Sequence, residues 1–180
     1  MLWIIRKIGD GESAQQIRFL LDHRDPTVRV EALSTLLKFN NKWGLVHLRD
    51  LLSHPMGTEF RSALDLAGEY RVREVVPQLI LYVRQRGDLE LREAALRALG
   101  HIGDSRAIPA LTRLAHRRWG ISKKQIGHLK RVLYDTLGGY PFGEIKDLLH
   151  YGLKQKDAAI QSACHELLRE GTQEGVANNP

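Results

Sequence analysis

The chain has 180 residues, and the side chains able to do chemistry are eight histidines, one cysteine and 21 acidic residues. A metal held on a helix needs ligands three or four residues apart, so that two share a face. The histidines at 23, 47, 54, 101, 116, 128, 150 and 165 never have that spacing, so no helix carries a two-histidine edge. Cys164 occupies an apolar position of the repeat described below and reads as a core thiol rather than a nucleophile. As a single cysteine it excludes an internal disulfide and fits a reducing cytoplasm. Gly138, Gly139 and Gly143 cluster around Tyr140-Pro141-Phe142, without the Lys-Ser or Lys-Thr of a phosphate-binding loop, so they mark a turn between helices. Carboxylates four apart, Asp65 with Glu69 and Glu166 with Glu170, read as surface charges, because acid–base catalysis needs a pKa shifted by a dry pocket. These patterns predict no catalytic residue, no metal and no cofactor.

The remaining chemistry is electrostatic. Lys and Arg number 27 against 21 acids, a net charge of +6. From Ser105 to Tyr134 there is no acid, while Arg106, Arg113, Arg117, Arg118, Lys123, Lys124, Lys130 and Arg131 supply eight positive charges, leaving the rest of the chain at 6 − 8 = −2. At about 100° per residue, Arg106, Arg113 and Arg117 share one side of a helix, opposite Ile108 and Ala115. In the next helix Lys124, His128 and Arg131 lie opposite Ile126, Leu129, Leu133 and Leu137. Lys123 and Lys124 fall in a first turn, where the helix dipole prefers anions, so helix stability does not account for them. With Trp119 and Tyr134 offering stacking, these ten residues (the eight cations, Trp119 and His128) form a candidate site for an anionic partner: an acidic protein surface, nucleic-acid phosphates or a lipid headgroup. The competing reading is a solvated helix face with Trp119 packed between repeats.

These residues are carried by repeats. Leu2, Leu33, Leu64, Leu96, Leu133 and Cys164 form one column, with steps of 31, 31, 32, 37 and 31. Ile5, Leu36, Ala67, Leu99, Thr136 and Leu167 keep the same steps, as do Ile17, Leu48, Leu79, Leu111 and Leu148 over their span. Each unit holds two helical patterns: Leu91, Ala95, Leu96 and Leu99, then Ile108, Leu111, Leu114 and Ala115. The break is Gly100-His101-Ile102-Gly103-Asp104, whose glycines can take the left-handed conformation that ends a helix. Asp25 before Pro26, Asp88, Ser122 with Gln125, and Ser13 with Gln16 are expected N-caps. The five extra residues of the 37-residue step enter near Trp119-Gly120-Ile121, inside the basic segment. A hydrophobic share of 43% and a charged share of 27% suit a folded domain, and no apolar run approaches the roughly 20 residues of a membrane span. The short apolar start, cut by Gly9, Asp10 and Glu12, does not read as a signal peptide.

The stretch from Leu91 to Asp104, continuing through Ala107-Ile108-Pro109-Ala110-Leu111, resembles a HEAT repeat and is similar to the bacterial HEAT-like repeats named after phycobilisome lyases. Val28-Arg29, Glu31-Ala32-Leu33, Ala63-Leu64, Ala67-Gly68 and Pro77 keep parts of that pattern. The resemblance implies an all-α, right-handed α-solenoid of about five helix pairs; the register places it over 1–170, incomplete at both ends, and the polar residues after a stop at Gly171 are expected to be a disordered tail over 171–180. The resemblance is almost silent about activity; with no catalytic pattern and a single cysteine, the expectation is a non-enzymatic, cytoplasmic protein-binding or scaffold module, whose second helices resemble those that line a concave surface in HEAT proteins. HEAT-repeat hydroxylases bind iron through repeated His-Glu dipeptides, whereas this chain has His165-Glu166 alone. The family also contains bilin lyases and DNA glycosylases; for the latter, Trp43, Trp119 and Asp135 are the conceivable groove residues. In register, Leu2 corresponds to the middle of a first helix, so Leu2, Trp3, Ile4 and Ile5 are an expected interface, covered by preceding repeats or by a second copy.

Overall fold

The computed structural model describes residues 16–54, 57–84, 88–117 and 122–177, with side chains as far as Gly171. Leu2, Trp3, Ile4, Ile5, Ser13, Arg118 and Trp119 lie outside the described residues. Among the described residues every regular element is helical. A 3-10 helix over Arg18–Asp22 is followed by α1 (Pro26–Lys38), α2 (Lys42–Ser53), α3 (Phe60–Glu69), α4 (Val76–Arg84), α5 (Leu89–Ile102), α6 (Ile108–His116), α7 (Lys123–Asp135), α8 (Phe142–Leu153) and α9 (Ala158–Ala177). The first helices α1, α3, α5, α7 and α9 contact one another in succession, as do the 3-10 helix and the second helices α2, α4, α6 and α8. This two-layer stack fits an α-solenoid. None of its helices is long and apolar enough to cross a membrane.

The helix starts follow the expected chemistry. The Asp25 carboxylate accepts from the Thr27 amide, Asp88 from the Glu90 and Leu91 amides, and the Ser122 hydroxyl from the Gln125 amide. Each satisfies a donor that a helix start leaves unpaired. The repeat columns are the core: Leu33, Leu64, Leu96, Leu133 and Cys164 are buried, as are Ile17, Leu48, Leu79, Leu111 and Leu148. Burial pushes the Cys164 thiol up to about 11, which fits a core residue rather than a nucleophile.

Helix ends are also periodic. Asn40, Arg71 and Gly103 occupy one repeat position, and all three have positive φ, at 50°, 50° and 64°. At each, the chain turns left-handed and its amide returns to a carbonyl of the helix just completed: Asn40 to Leu37, Arg71 to Gly68, Gly103 to Leu99. The two glycines of the Gly100–Gly103 break therefore have different roles. Gly103 ends the helix, whereas Gly100 lies inside α5 and lets Thr136 approach, since a Cβ there would fall 2.9 Å from the Thr136 carbonyl oxygen.

Two expectations are revised. The last helix does not stop at Gly171: it runs on to Ala177, so most of the expected tail is helical. The missing Cβ of Gly171 leaves room for the Phe142 ring, so this glycine packs rather than terminates. Tyr134 is not a stacking platform either, because it is buried and donates its hydroxyl to the Leu148 carbonyl at 3.3 Å.

Opposite stability effects follow at a helix-interior position and at a left-handed turn. Gly100→Ala forces a methyl into Thr136 and is expected to destabilise the fold by about 1–3 kcal/mol. Arg71→Gly removes a side chain from a left-handed position and is expected to stabilise by up to about 1 kcal/mol. Urea unfolding of the two variants measures both.

Candidate binding surfaces

The basic interval contains no acid in sequence, but the fold brings acids to it. The Arg106 guanidinium holds Asp104 through Nε and Nη2, both at 2.8 Å, and donates to the Arg73 carbonyl at 2.8 Å. Arg131 Nε meets Asp157 at 2.8 Å. His128 Nε2 lies 2.7 Å from Glu93, which also accepts from Arg97 at 2.8 Å. Arg29 completes the series with a two-point contact to Glu59 at 2.8 and 2.7 Å. Three of these links tie successive first helices: Arg29 of α1 to Glu59 at the start of α3, Glu93 of α5 to His128 of α7, and Arg131 of α7 to Asp157 ahead of α9. Hydrogen bonds from His128, then from Arg97, hold the Glu93 carboxyl below its ordinary range. His128, Arg131 and Arg106 thus serve inter-repeat or turn contacts.

Sequence reading missed Arg92. It occupies the repeat position of Arg29, and both reach back to carbonyls of the preceding segment: Arg29 to His23 and Arg24, Arg92 to Val83 through Nε at 3.2 Å and Nη2 at 2.9 Å. Arg92 is only 2% exposed and has no carboxylate among its described partners. Burial, then the nearby Arg117 charge, lowers its pKa. The signal was the recurrence of Val28-Arg29 as Leu91-Arg92 in register.

The second helices present a regular exposed face. Trp43, Val46 and Asp50 of α2 align with Glu74, Pro77 and Leu81 around α4, with Arg106, Pro109 and Arg113 around α6, and with Gly143, Lys146 and His150 of α8. All twelve are exposed. The spacing i, i+3, i+7 puts each trio on one helix side, and the shared register puts the trios in line. The character changes along the line. Phe19, Trp43, Val46 and Leu81 are the exposed large apolar residues among those described, and all belong to this layer. Arg106, Arg113 and Lys146 follow on the later units. At the amino end a depression of about 560 Å³ is lined by Arg18, Phe19, Trp43, Val46, His47 and Asp50, with the Arg18 guanidinium 4.9 Å from the Trp43 ring centre.

A separate cleft of about 440 Å³ collects Arg117, Lys123 and Lys130 with Lys156 from the α8–α9 connection. Of the predicted cations, Arg106 and Arg113 therefore lie on the second-helix face and Arg117, Lys123 and Lys130 in this cleft, while Lys124 is exposed at the start of α7. Trp43 and Asp135 line different depressions, so the described residues do not bring together the pair that a glycosylase-like groove would use. His165 and Glu166 are both exposed, and the described residues contain no cluster of three or more His, Cys, Asp or Glu side chains able to hold a metal.

The Arg106 contact has a pH signature. Its hydrogen bonds hold the Asp104 carboxyl at about 2, against 3.8 for the free group. The stabilisation from ionised Asp104 is complete above pH 3.8 and disappears as pH falls through about 2. Asp104→Asn is therefore expected to flatten the acid limb of stability between these values, as read by thermal melts across that range.

Comparison with known protein families matches residues 48–126, from Leu48 of α2 to Ile126 of α7, to HEAT repeats. No curated protein matches the chain. The matched segment contains two whole helix pairs, α3–α4 and α5–α6, and the same helical period and buried columns continue on both sides of it. The family match, the all-helical two-layer stack and the recurring left-handed turn agree, and together they support a HEAT-repeat family for this chain.

Proposed function

We propose that this chain is a non-enzymatic binding module, a right-handed solenoid of about five helix pairs that recognises a protein partner through its second helices. The observation carrying this reading is the line of exposed side chains on the second-helix layer, where Phe19, Trp43, Val46 and Leu81 stand beside the acids Asp50 and Glu74 on the early units and the cations Arg113 and Lys146 follow on the later ones. Exposed apolar side chains in one line are costly to leave in water and mark a surface that another protein covers. The cations beside them favour a partner whose apolar residues are followed by acidic ones. The apolar segment Leu2-Trp3-Ile4-Ile5 is a self-association surface in this reading. The function is scaffolding within a larger assembly, without a bound cofactor.

A nucleic-acid partner is the second reading, favoured by the local cationic charge. The two separate in one experiment. The protein is passed over an immobilised peptide in which Leu and Phe precede a run of Glu, and in parallel over duplex DNA and heparin. Retention on the peptide is expected to fall with salt, Arg113→Glu is expected to weaken it about 3- to 10-fold, and Leu81→Ser to weaken it without changing the salt slope. Equal retention on DNA, lost in Arg113→Glu and kept in Leu81→Ser, would favour the nucleic-acid reading.

A further inference from the structure

The cleft between α7 and the α8–α9 connection shares no lining residue with the second-helix face, and it has a different construction. Its cations are Arg117 at the end of α6, Lys123 and Lys130 on α7, and Lys156 ahead of α9. Ile126 and Ile160, both buried, form its apolar floor. Its one acid, Asp157, is engaged by Arg131 at 2.8 Å, and Lys123 and Lys156 have no carboxylate within ion-pair distance among the described residues. The buried Arg92 guanidinium lies near enough to Arg117 for the two charges to repel.

The most telling residue in the cleft is Gly127. It lies in the interior of α7, where glycine is the poorest helix former apart from proline. Other helical glycines of this chain have a packing reason: a Cβ on Gly68, Gly100, Gly152 or Gly171 would strike a neighbouring element. A Cβ on Gly127 would meet no atom of the described residues within 4 Å. Gly143 is equally open, but it falls in the first turn of α8, where the demand for a helix former is weaker. Nothing in the described fold requires glycine at 127, and it lines a cationic cleft with an apolar floor.

We propose that this cleft is a second binding site, taking a short acidic peptide segment whose backbone passes over Gly127, whose apolar side chain rests on Ile126 and Ile160, and whose flanking carboxylates meet Lys123 and Lys156, with Lys130 and Arg117 adding positive charge to the lining. The floor argues for a peptide over a phosphate backbone, because a sugar–phosphate strand has no apolar side chain to place there. Gly127 permits the close backbone approach that a side chain would block. The site stands independently of the second-helix face.

The test uses a fluorescein-labelled Glu-Glu-Ile-Glu-Glu peptide and the full chain carrying Leu81→Ser and Arg113→Glu, so that the second-helix face does not contribute. Anisotropy at low salt is expected to show binding that weakens as salt rises. Lys123→Glu with Lys156→Glu is expected to weaken it about tenfold or more, as is replacing the peptide isoleucine with serine. The decisive variant is Gly127→Ala, which is expected to raise the melting temperature while weakening the peptide several-fold. A more stable Gly127→Ala protein with unchanged affinity overturns the proposal. So does the absence of binding at low salt, or full competition by oligothymidine at equal charge concentration. Failure here leaves the second-helix reading untouched, since that reading is scored on Leu81 and Arg113 in the otherwise native chain.

Discussion

The structure depends on how closely successive first helices approach. Ala63, Ala67 and Gly68 of α3 and Ala94, Ala95 and Ala98 of α5 are buried, and a Cβ on Gly68 would lie 2.9 Å from the Ala98 Cα. Further along, Gly100 admits Thr136, and Gly152 admits Cys164 and Tyr134. Small side chains at these positions bring backbones together, so the larger leucines of each repeat column fill the space between the two layers. With that spacing fixed, equivalent residues of successive units fall into line. The exposed trios of the second helices form an ordered face for this reason, although they are far apart in sequence.

The same spacing decides where charge is used. First helices close enough to pack are close enough for Arg29 to reach Glu59, for His128 to reach Glu93 and for Arg131 to reach Asp157. Partly exposed ion pairs contribute modestly to stability, and their value here is registration of one repeat on the next. Arg106 does comparable work at a turn, joining Asp104 to the Arg73 carbonyl. Once these partners are assigned, the positive charge of the interval divides into two surfaces. One follows the second helices at Arg113, joined there by Lys146 from outside the interval, and the other surrounds Gly127.

The repeat period, the helix pairs and the caps were legible because each is local. Asp25, Asp88 and Ser122 act on amides two or three residues away, and a period of about 31 residues is visible without knowing what touches what. The left-handed turn was half legible: Gly103 announces itself, whereas Asn40 and Arg71 adopt the same conformation because their register requires it. The continuation of α9 past Gly171 was hidden, since the space that makes glycine useful there is filled by Phe142, 29 positions earlier.

The sequence by itself determined the helical class, the repeat, the core columns and the place where basic charge accumulates, because periodicity and capping are properties of neighbours along the chain. Only the tertiary structure decided which cations are engaged. Glu93 and Asp157 lie outside the acid-free interval and reach its side chains through packing, whereas Asp104 meets Arg106 within one turn. It alone joined Lys156 to Lys123 and Lys130, buried Tyr134 and left Gly127 open, because each depends on the distance between helices that the chain separates by ten residues or more.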